Sequence, residues 1–346
     1  MSALWTREPE RGSRFLLRLM VRITLGLGWR VGHALLYPIT AYFLLSSARA
    51  RAASREFLAL ALGREPGFAE LFRHFFTFAS TILDRVFLLT GRTEGYDIRV
   101  EGLGHLEARI AEGRGCLLLG SHLGSFEVLR ALADQGCPVP VRALMYEENA
   151  VRLAGVFEAL NPGRAASIIR IGSPGALLQV KEALAGGELV GILGDRIVRG
   201  EKVVTARFLG RPATFPAGPV VLASVLAVPV VLFFGVQRGG RRYDIRFEPF
   251  SDRVELRREA RQAEVTAWVQ RYAGALEAAA RAHPYNWFNF YDFWDGQDGE
   301  TMARGARHGR LPRGLGRSLA AGLGGLRHRH RDGDDVARPG APGRVP

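Results

Sequence analysis

A histidine and a glutamate with a spacing suited to acid–base chemistry lie in the segment Gly120–Glu127. This segment follows the apolar run 116–119 and leads into a stretch with helical spacing, so we predict that His122 lies at the C-terminal end of a strand. Ligands bind at this edge of open α/β sheets. An imidazole held in one tautomer by Glu127, in the first helical turn, would suit a general base acting on a hydroxyl.

The spacing alone carries little weight, because a histidine followed five residues later by an acid occurs twice among eight histidines. The second pair, His330 and Asp335, lies in an Arg-rich stretch with no apolar pattern, whereas His122 lies at a strand–turn–helix junction with two glycines. Gly120-Ser121-His122 is not a nucleophile elbow, which requires Gly-x-Ser-x-Gly. A surface or N-capping histidine is the alternative interpretation of His122.

The elements that must position this segment alternate between strands and helices. Strands are predicted at 98–100, 116–120, 139–145, 167–171, 188–193, 228–236 and, as an edge strand, 243–248. Helices are predicted at 57–62, 68–90, 105–112, 125–135, 150–160, 175–185, 219–226 and 256–283. This order predicts an α/β fold with a mostly parallel central sheet, right-handed crossovers and helices on both sides.

The charge is concentrated at the two ends of the chain. The net charge of +13 divides into nine Arg against three Glu over 1–56 and ten Arg against three Asp over 301–346, which leaves 57–300 neutral. A nucleic-acid groove would place basic residues across the folded domain, so no nucleic-acid partner is expected. The two cysteines give no disulfide framework, and no metal-ligand cluster is apparent.

Within residues 13–47, the stretch from Phe15 to Leu45 is almost continuously apolar apart from Arg18, Arg22 and Arg30, and the longest uncharged piece, 31–47, has 17 residues. This length is at the lower limit for a membrane span. We therefore predict an N-terminal membrane-anchoring helix, either one tilted span or an interfacial helix. A buried core helix is the alternative.

Two further motifs lie close to predicted strand ends. Gly194-Asp195-Arg196 follows the strand at 188–193, and Phe208–Pro219 reads FLGRPATFPAGP just before a helix. Together with the His122 segment, these motifs resemble the lysophospholipid acyltransferase superfamily, and within it the lipid A biosynthesis (late) acyltransferase branch, over residues 15–295. That branch has a His-x4-acid motif, a later Asp-containing turn, and a Phe-x-Gly-x-Pro-Ala-Thr-x-Pro-x-Gly-Pro motif.

The resemblance implies a role for each matching residue. His122 is the expected base and Glu127 its orienting partner. Arg196 is expected to bind a phosphate, and backbone N–H groups near Gly210 are expected to approach a thioester. The expected substrate-binding residues are Asp195, Arg196, Phe208, Gly210, Pro212, Thr214 and Gly218. A local ion pair at 195–196 and turn rigidity at the prolines are the alternatives.

The implied reaction is transfer of a fatty acyl group to a hydroxyl of a lipid A precursor or related membrane glycolipid, at the cytoplasmic face of the bacterial inner membrane. Acyl carrier protein is the implied donor, with coenzyme A as the alternative, and no metal or redox cofactor is implied. Arg199, Lys202 and Arg207 are candidates for docking the acidic carrier protein. The domains expected are a leader (1–12), the anchor (13–47), an acyltransferase domain (48–299) and a basic, disordered tail (300–346).

The segment 283–294 departs from the lipid A members, which usually end in a Trp followed by basic residues. It is aromatic and acidic, and it looks more like acyltransferases of aryl-polyene-type lipid clusters. It is either a hydrophobic cap or a wall for the acceptor or acyl chain. An aryl-polyene-type lipid or a lysophospholipid is therefore an alternative acceptor. A thioesterase or lipase, and a non-catalytic lipid-binding protein, are the alternatives from other functional classes.

Overall fold

The computed structural model describes residues 14–113, 115–129, 140–146, 168–198 and 200–294. Its helices are α1 (Arg14–Leu27), α2 (Trp29–Ser46), α3 (Ala48–Leu62), α4 (Phe68–Leu89), α5 (Leu103–Ala111), α6 (Ala176–Ala185), α7 (Gly218–Leu226) and α8 (Arg261–Ala282). Its strands are β1 (Asp97–Glu101), β2 (Leu117–Gly120), β3 (Val141–Tyr146), β4 (Ile168–Ile171), β5 (Leu189–Leu193), β6 (Val203–Phe208), β7 (Arg211–Pro216), β8 (Val230–Gly239) and β9 (Arg242–Ser251).

Within these residues a seven-stranded sheet has the order β1-β9-β8-β2-β5-β3-β4. All neighbouring pairs in it are parallel except β8 and β9, which are antiparallel. The predicted α/β class with a mostly parallel sheet is therefore confirmed. The prediction of an edge strand near 243–248 is wrong, because β9 pairs with β1 on one side and with β8 on the other.

The central strands are buried on both faces, as parallel sheets covered by helices require. Leu117 and Leu119 of β2 belong to one apolar cluster, which also contains side chains of α3, α7 and α8. Leu118, between them, belongs to a second cluster with α5 on the opposite face. Strand β2 therefore runs through the middle of the core. Packing on both faces of this strand fixes the point at which the following loop begins.

The N-terminal region forms two helices where the sequence predicted one anchor, because the chain breaks at Gly28. Helix α2 buries a stripe at four-residue spacing, Gly32, Leu36, Thr40 and Leu44, and it packs against α4. In the described part of the chain, no single helix is long and apolar enough to cross a membrane. Helices α2 and α3 meet the length and composition test only as a pair, and this pair is bent by 95°.

Several predicted elements differ from the structure or lie outside it. The motif at 208–219 contributes to an antiparallel hairpin, β6–β7, which the sequence did not predict. Of the helix predicted at 125–135, residues 127–129 are helical and the rest lies outside the described residues. The helix predicted at 150–160 and the tail 300–346 also lie outside them.

Candidate active site

The candidate site is built where two neighbouring parallel strands end side by side. Gly120 of β2 is in register with Leu193 of β5, and the Gly194 N–H donates to the Gly120 carbonyl over 3.0 Å. His122 and Asp195 each lie two residues beyond this pair, so both are at the C-terminal edge of the sheet. Pairing of β2 with β5 thus brings together side chains 73 residues apart.

Asp195 holds His122 through the ring and through the backbone. The His122 Nδ1 atom lies 2.8 Å from Asp195 Oδ1, and the His122 backbone N–H donates to Oδ2 over 2.9 Å. The indole Nε1–H of Trp287 donates to the same Oδ2 over 3.0 Å. Asp195 is 1% exposed. A buried carboxylate that accepts backbone and indole N–H groups is held as an anion, so we assign the shared proton to Nδ1.

The electrostatic surroundings favour a neutral imidazole beside an ionised carboxylate. Burial and then the positive charges of Arg196 and Arg85 lower the pKa of His122, against the opposing effect of Asp195. Burial works against ionisation of Asp195, but attraction to the His122 ring in its protonated form, the hydrogen bonds from His122 and the charge of Arg196 outweigh it and lower the pKa of the carboxyl group. With the proton on Nδ1, the Nε2 lone pair is free to accept a proton.

Glu127 does not occupy the orienting position that the sequence predicted for it. Its Oε1 pairs with Arg85 Nε of α4 at 3.0 Å, and its Oε2 accepts a hydrogen bond from Ser125 Oγ over 3.2 Å. Among the described residues, no hydrogen bond joins Glu127 to the His122 ring, whose Nδ1 partner is Asp195. The reason is local geometry, because the Glu127 side chain extends to Arg85 of α4 while Asp195, at the end of β5, lies beside the ring.

Gly124 explains how the loop between His122 and Glu127 fits against the sheet. Its φ is 77°, and a Cβ on it would lie 1.9 Å from the Gly235 carbonyl oxygen of β8. The next residue, Ser125, donates its N–H to that same carbonyl over 2.8 Å. Only glycine meets both requirements without displacing the backbone.

Residues 285–294, here called the C-terminal aromatic segment, close the other side of the loop. The Phe288 N–H donates to the His122 carbonyl over 2.9 Å, and Leu123 forms a β-bridge with Trp287. Arg196 Nη2 donates to the Phe288 carbonyl over 2.8 Å. Its guanidinium carbon is 5.8 Å from the centre of the Tyr291 ring. The predicted residues Asp195 and Arg196 therefore both lie beside His122, and Arg196 is partly exposed.

Trp287 is the residue at the site that the sequence analysis did not assign. Its position in an aromatic cluster indicated packing, and nothing in its spacing connected it to Asp195. Trp287 is 1% exposed and its indole N–H donates to Asp195, but no local sequence pattern indicated that acceptor.

The FLGRPATFPAGP motif forms a hairpin, and its residues have unequal access to a substrate. Phe208 is 0% exposed, and its ring packs 5.1 Å from the centre of the Trp287 ring, so it contacts core side chains. Gly210 is in the exposed turn with φ 81°, beside Leu209, whose N–H donates to Glu277 of α8 over 2.6 Å. The Phe208 ring has no exposed surface in this structure, so its role as a substrate-binding residue stays a prediction.

The remaining residues of the motif lie along β7 and at the start of α7. Pro212 is exposed, and Thr214 and Gly218 are partly exposed. A Cβ on Gly218 would lie 2.5 Å from Glu201 Oε1, so the start of α7 packs closely against the loop before β6. In the parts of the chain that the structure describes, no cluster of His, Cys, Asp or Glu could hold a metal ion.

Comparison with known proteins identifies the family. No curated protein matched the chain. A family model described as bacterial lipid A biosynthesis acyltransferase matches residues 40–295, which include the paired strands, both motifs and the whole C-terminal aromatic segment. The match spans most of the 346 residues. This chain is therefore an acyltransferase that belongs to the bacterial lipid A biosynthesis acyltransferase family.

Proposed function

We propose that the protein transfers a fatty acyl group from acyl carrier protein, or from coenzyme A, to a hydroxyl of a lipid A precursor or related membrane glycolipid, with His122 as general base. The observation that carries the proposal is the 2.8 Å contact between His122 Nδ1 and the buried Asp195 carboxylate. This contact leaves Nε2 as the basic atom, on a side chain that is 31% exposed. A base must be both unprotonated and accessible to an incoming hydroxyl.

The proposed step needs no covalent enzyme intermediate. His122 Nε2 takes the proton of the acceptor hydroxyl while its oxygen attacks the thioester carbonyl carbon. The tetrahedral intermediate then collapses, the carbon–sulfur bond breaks, and the imidazolium returns the proton to the departing thiolate. Asp195 stabilises the imidazolium in between, as a carboxylate does in a Ser-His-Asp triad.

Two arginines support this reaction electrostatically. Burial is the largest cause of the lowered pKa of His122, and Arg196 and Arg85 lower it further, which favours a neutral base. A partly exposed guanidinium beside the base is also suited to hold a phosphate of the pantetheine arm or of the lipid. Glu127 pairs with Arg85, so we propose that its role is to position that cation.

Membrane association is part of the proposal, and the exposed side chains of the N-terminal helices support it. Helices α1, α2 and α4 expose large apolar side chains at Leu27 (65%), Tyr37 (53%), Tyr42 (64%), Leu45 (67%) and Phe68 (61%). Arg22, Arg30 and Arg49 are exposed on α1, α2 and α3. Apolar and cationic side chains together favour an anionic bilayer surface. We place this surface at the cytoplasmic face of the bacterial inner membrane.

Donor docking is proposed at basic residues beside the hairpin. Lys202 and Arg207 are exposed, and Arg199 lies outside the described residues. If the donor is the acidic carrier protein, then Lys202→Glu combined with Arg207→Glu raises the KM for acyl carrier protein and leaves the KM for acyl-coenzyme A unchanged. A KM for the carrier protein equal to that of the wild type would remove these residues from the docking site.

The primary test is acyl transfer by the purified full chain into vesicles that contain a lipid A precursor, followed by mass spectrometry. We expect wild type to add one acyl mass, His122→Ala to lose about 10²–10⁴-fold in rate, and His105→Ala to match wild type, since His105 is exposed on α5. Fatty acid released as fast as acyl-lipid would favour a thioesterase. Equal rates for wild type and His122→Ala would exclude His122 as the base.

The acceptor is identified in cells. Lipids from strains that carry the wild-type gene, a deletion or His122→Ala are compared by mass spectrometry. The lipid that loses a single acyl mass in both mutants is the acceptor, and an aryl-polyene-type lipid or a phospholipid in that position would replace the glycolipid. A lipid change in the deletion strain alone would contradict the base mechanism.

A further inference from the structure

A chain of buried hydrogen bonds connects the N-terminal helices to the candidate base. Ser54 of α3 and His74 of α4 are both 0% exposed, and Ser54 Oγ lies 2.7 Å from His74 Nδ1. On its other side, His74 Nε2 lies 2.9 Å from the carbonyl oxygen of Trp287, 213 residues further along the sequence. Two helices thereby hold the backbone of the C-terminal aromatic segment.

The tautomer of His74 follows from its partners. Burial lowers the pKa of His74 to about 4, so the ring is neutral at physiological pH. A carbonyl oxygen can only accept, so the ring proton is on Nε2 and points to Trp287. The Nδ1 atom then accepts from the Ser54 hydroxyl, and every polar atom of the ring is satisfied.

Trp287 links His74, which contacts its backbone carbonyl, to Asp195, which accepts its indole N–H. The indole ring is fixed by Phe57, with ring centres 4.8 Å apart, and by Phe293 at 4.9 Å. Its N–H donates to the oxygen of Asp195 that also accepts the backbone N–H of His122. The path from Ser54 to the His122 ring therefore contains four hydrogen bonds, and all of its groups are buried except the partly exposed His122 ring.

A neighbouring tryptophan shows that packing alone does not require this hydrogen bond. Trp294 is 3% exposed, and its ring stacks on Phe208 in the same aromatic cluster. Its indole N–H has no acceptor among the described residues. Within the described residues, the aromatic cluster thus accommodates a buried indole N–H without a partner, whereas the N–H of Trp287 is directed at the carboxylate beside the base.

We propose that Trp287 is a positioning residue for Asp195, and that Ser54 and His74 hold Trp287 in place, so that α3 and α4 set the geometry of the base. The inference rests on the proposed role of His122 and extends it to residues that do not touch the substrate. The other charged or titratable groups that face the His122–Asp195 pair are Arg85 of α4, Arg196, Tyr272 of α8 and Tyr291.

Trp287→Phe tests the proposal, because it keeps an aromatic ring and removes the donor. With one donor fewer, the carboxylate attracts the His122 proton more strongly, so the pKa values of His122 and of Asp195 both rise. We expect the acid limb of the kcat/KM profile to move up by about one pH unit. The same shift is expected in a ¹⁵N NMR titration of the His122 ring, assigned by its loss in His122→Asn.

Trp294→Phe is the matched control, since it removes a similar ring and an unpartnered N–H. It should leave the acid limb and the NMR titration at their wild-type positions. If Trp287→Phe also leaves both unchanged and only lowers stability, Trp287 acts through packing and the proposal fails. The NMR titration needs no substrate, so a shifted His122 titration in a chain without acyl transfer would refute the proposed function while supporting the positioning role.

Two variants at His74 keep the proposal testable even if Trp287→Phe does not fold. His74→Leu removes the donor to the Trp287 carbonyl, and His74→Gln retains an N–H at a similar reach. We expect His74→Leu to shift the His122 titration upward and to lower kcat with little change in KM. His74→Gln should restore both toward wild type. Identical His122 titrations in His74→Leu and His74→Gln would show that the hydrogen bond from His74 of α4 does not help to set the geometry of the base.

Discussion

Two buried aspartates in this molecule have pKa values that are shifted in opposite directions. Asp195, at the candidate site, accepts hydrogen bonds from His122 and Trp287, and its pKa is lowered. Asp84, on α4, accepts hydrogen bonds from Trp29, Tyr96, Gln237 and Tyr243 at 2.7–3.1 Å, and its pKa is raised by burial.

The difference lies in the charge of the neighbours. The four donors to Asp84 are neutral, so they only partly offset the cost of burying a charge. Asp195 has a titratable imidazole and the Arg196 guanidinium beside it, and these reverse the effect of burial. The number of hydrogen bonds therefore does not decide the direction in which the pKa of a buried carboxyl is shifted. The hydrogen bonds of Asp84 connect α2, α4 and the sheet, whereas those of Asp195 orient the proposed base, His122.

The sharpest test of this comparison is Asp195→Asn. The amide can donate to Nδ1 of His122 and move the ring proton to Nε2, which removes the base. We expect kcat to fall by about 10³–10⁴-fold with substrate binding retained. Steady-state kinetics with the acyl donor and the glycolipid acceptor measure both quantities. Activity within a few-fold of wild type would show that the contact with Asp195 does not orient the base.

Asp84→Ala should have its main effect on folding. It removes the acceptor of two N–H donors, from Trp29 and Gln237, and of two tyrosine hydroxyls. Each N–H left unsatisfied in the core costs about 1–3 kcal/mol, so the free energy of unfolding should fall by about 2–6 kcal/mol. Urea unfolding measures this loss. The folded fraction should keep the wild-type pH profile of acyl transfer. A shifted acid limb would show that Asp84 also affects the candidate active site.

The site shows which parts of this arrangement a sequence can predict. Gly-Ser-His after β2 and Gly-Asp-Arg after β5 place His122 and Asp195 at strand ends, because apolar runs that end in glycine identify those ends. The adjacency of β2 and β5 is a long-range pairing that no local pattern encodes. Local spacing therefore favoured Glu127 as the partner of His122, and the tertiary structure supplied Asp195.

Helix α4 contains two polar residues, His74 and Asp84, whose importance is not visible from its apolar pattern. Its stripe of leucines and phenylalanines predicted the helix at 68–90, close to the observed Phe68–Leu89. His74 and Asp84 lie on the buried side of the same helix, where a polar side chain must have partners. Those partners, including Trp287 and Gln237, come from distant parts of the chain, so the sequence indicates that partners are needed without identifying them.

The two carboxyls should also give stability–pH profiles of opposite slope. Asp84 has a raised pKa in the folded state, so its stabilising contribution is full below about pH 4 and is lost as pH rises through the folded pKa. Asp195 has a lowered pKa, so its contribution is present above about pH 4 and is lost as pH falls.

Paired urea titrations across pH measure these contributions as differences from Asp84→Asn and Asp195→Asn. The advantage of wild type over Asp84→Asn should shrink as pH rises from about 4, by at most about 1.4 kcal/mol per pH unit. Its advantage over Asp195→Asn should shrink as pH falls below about 4. Slopes of the same sign would contradict the assignment of opposite pKa shifts.

The smallest expected effect is that of Gly210→Ala. Gly210 lies in the turn between β6 and β7, outside the surroundings of both Asp84 and Asp195. Gly210 has φ 81° and open space around its Cα, so alanine meets backbone strain and no clash. We expect a loss of about 1 kcal/mol in stability and no change in the KM for the acyl donor. The turn contacts α8 through Leu209 and Glu277, which supports a conformational reason for this glycine. A raised donor KM at unchanged kcat would instead support the thioester contact that the family resemblance implied, and would extend the candidate site to the hairpin.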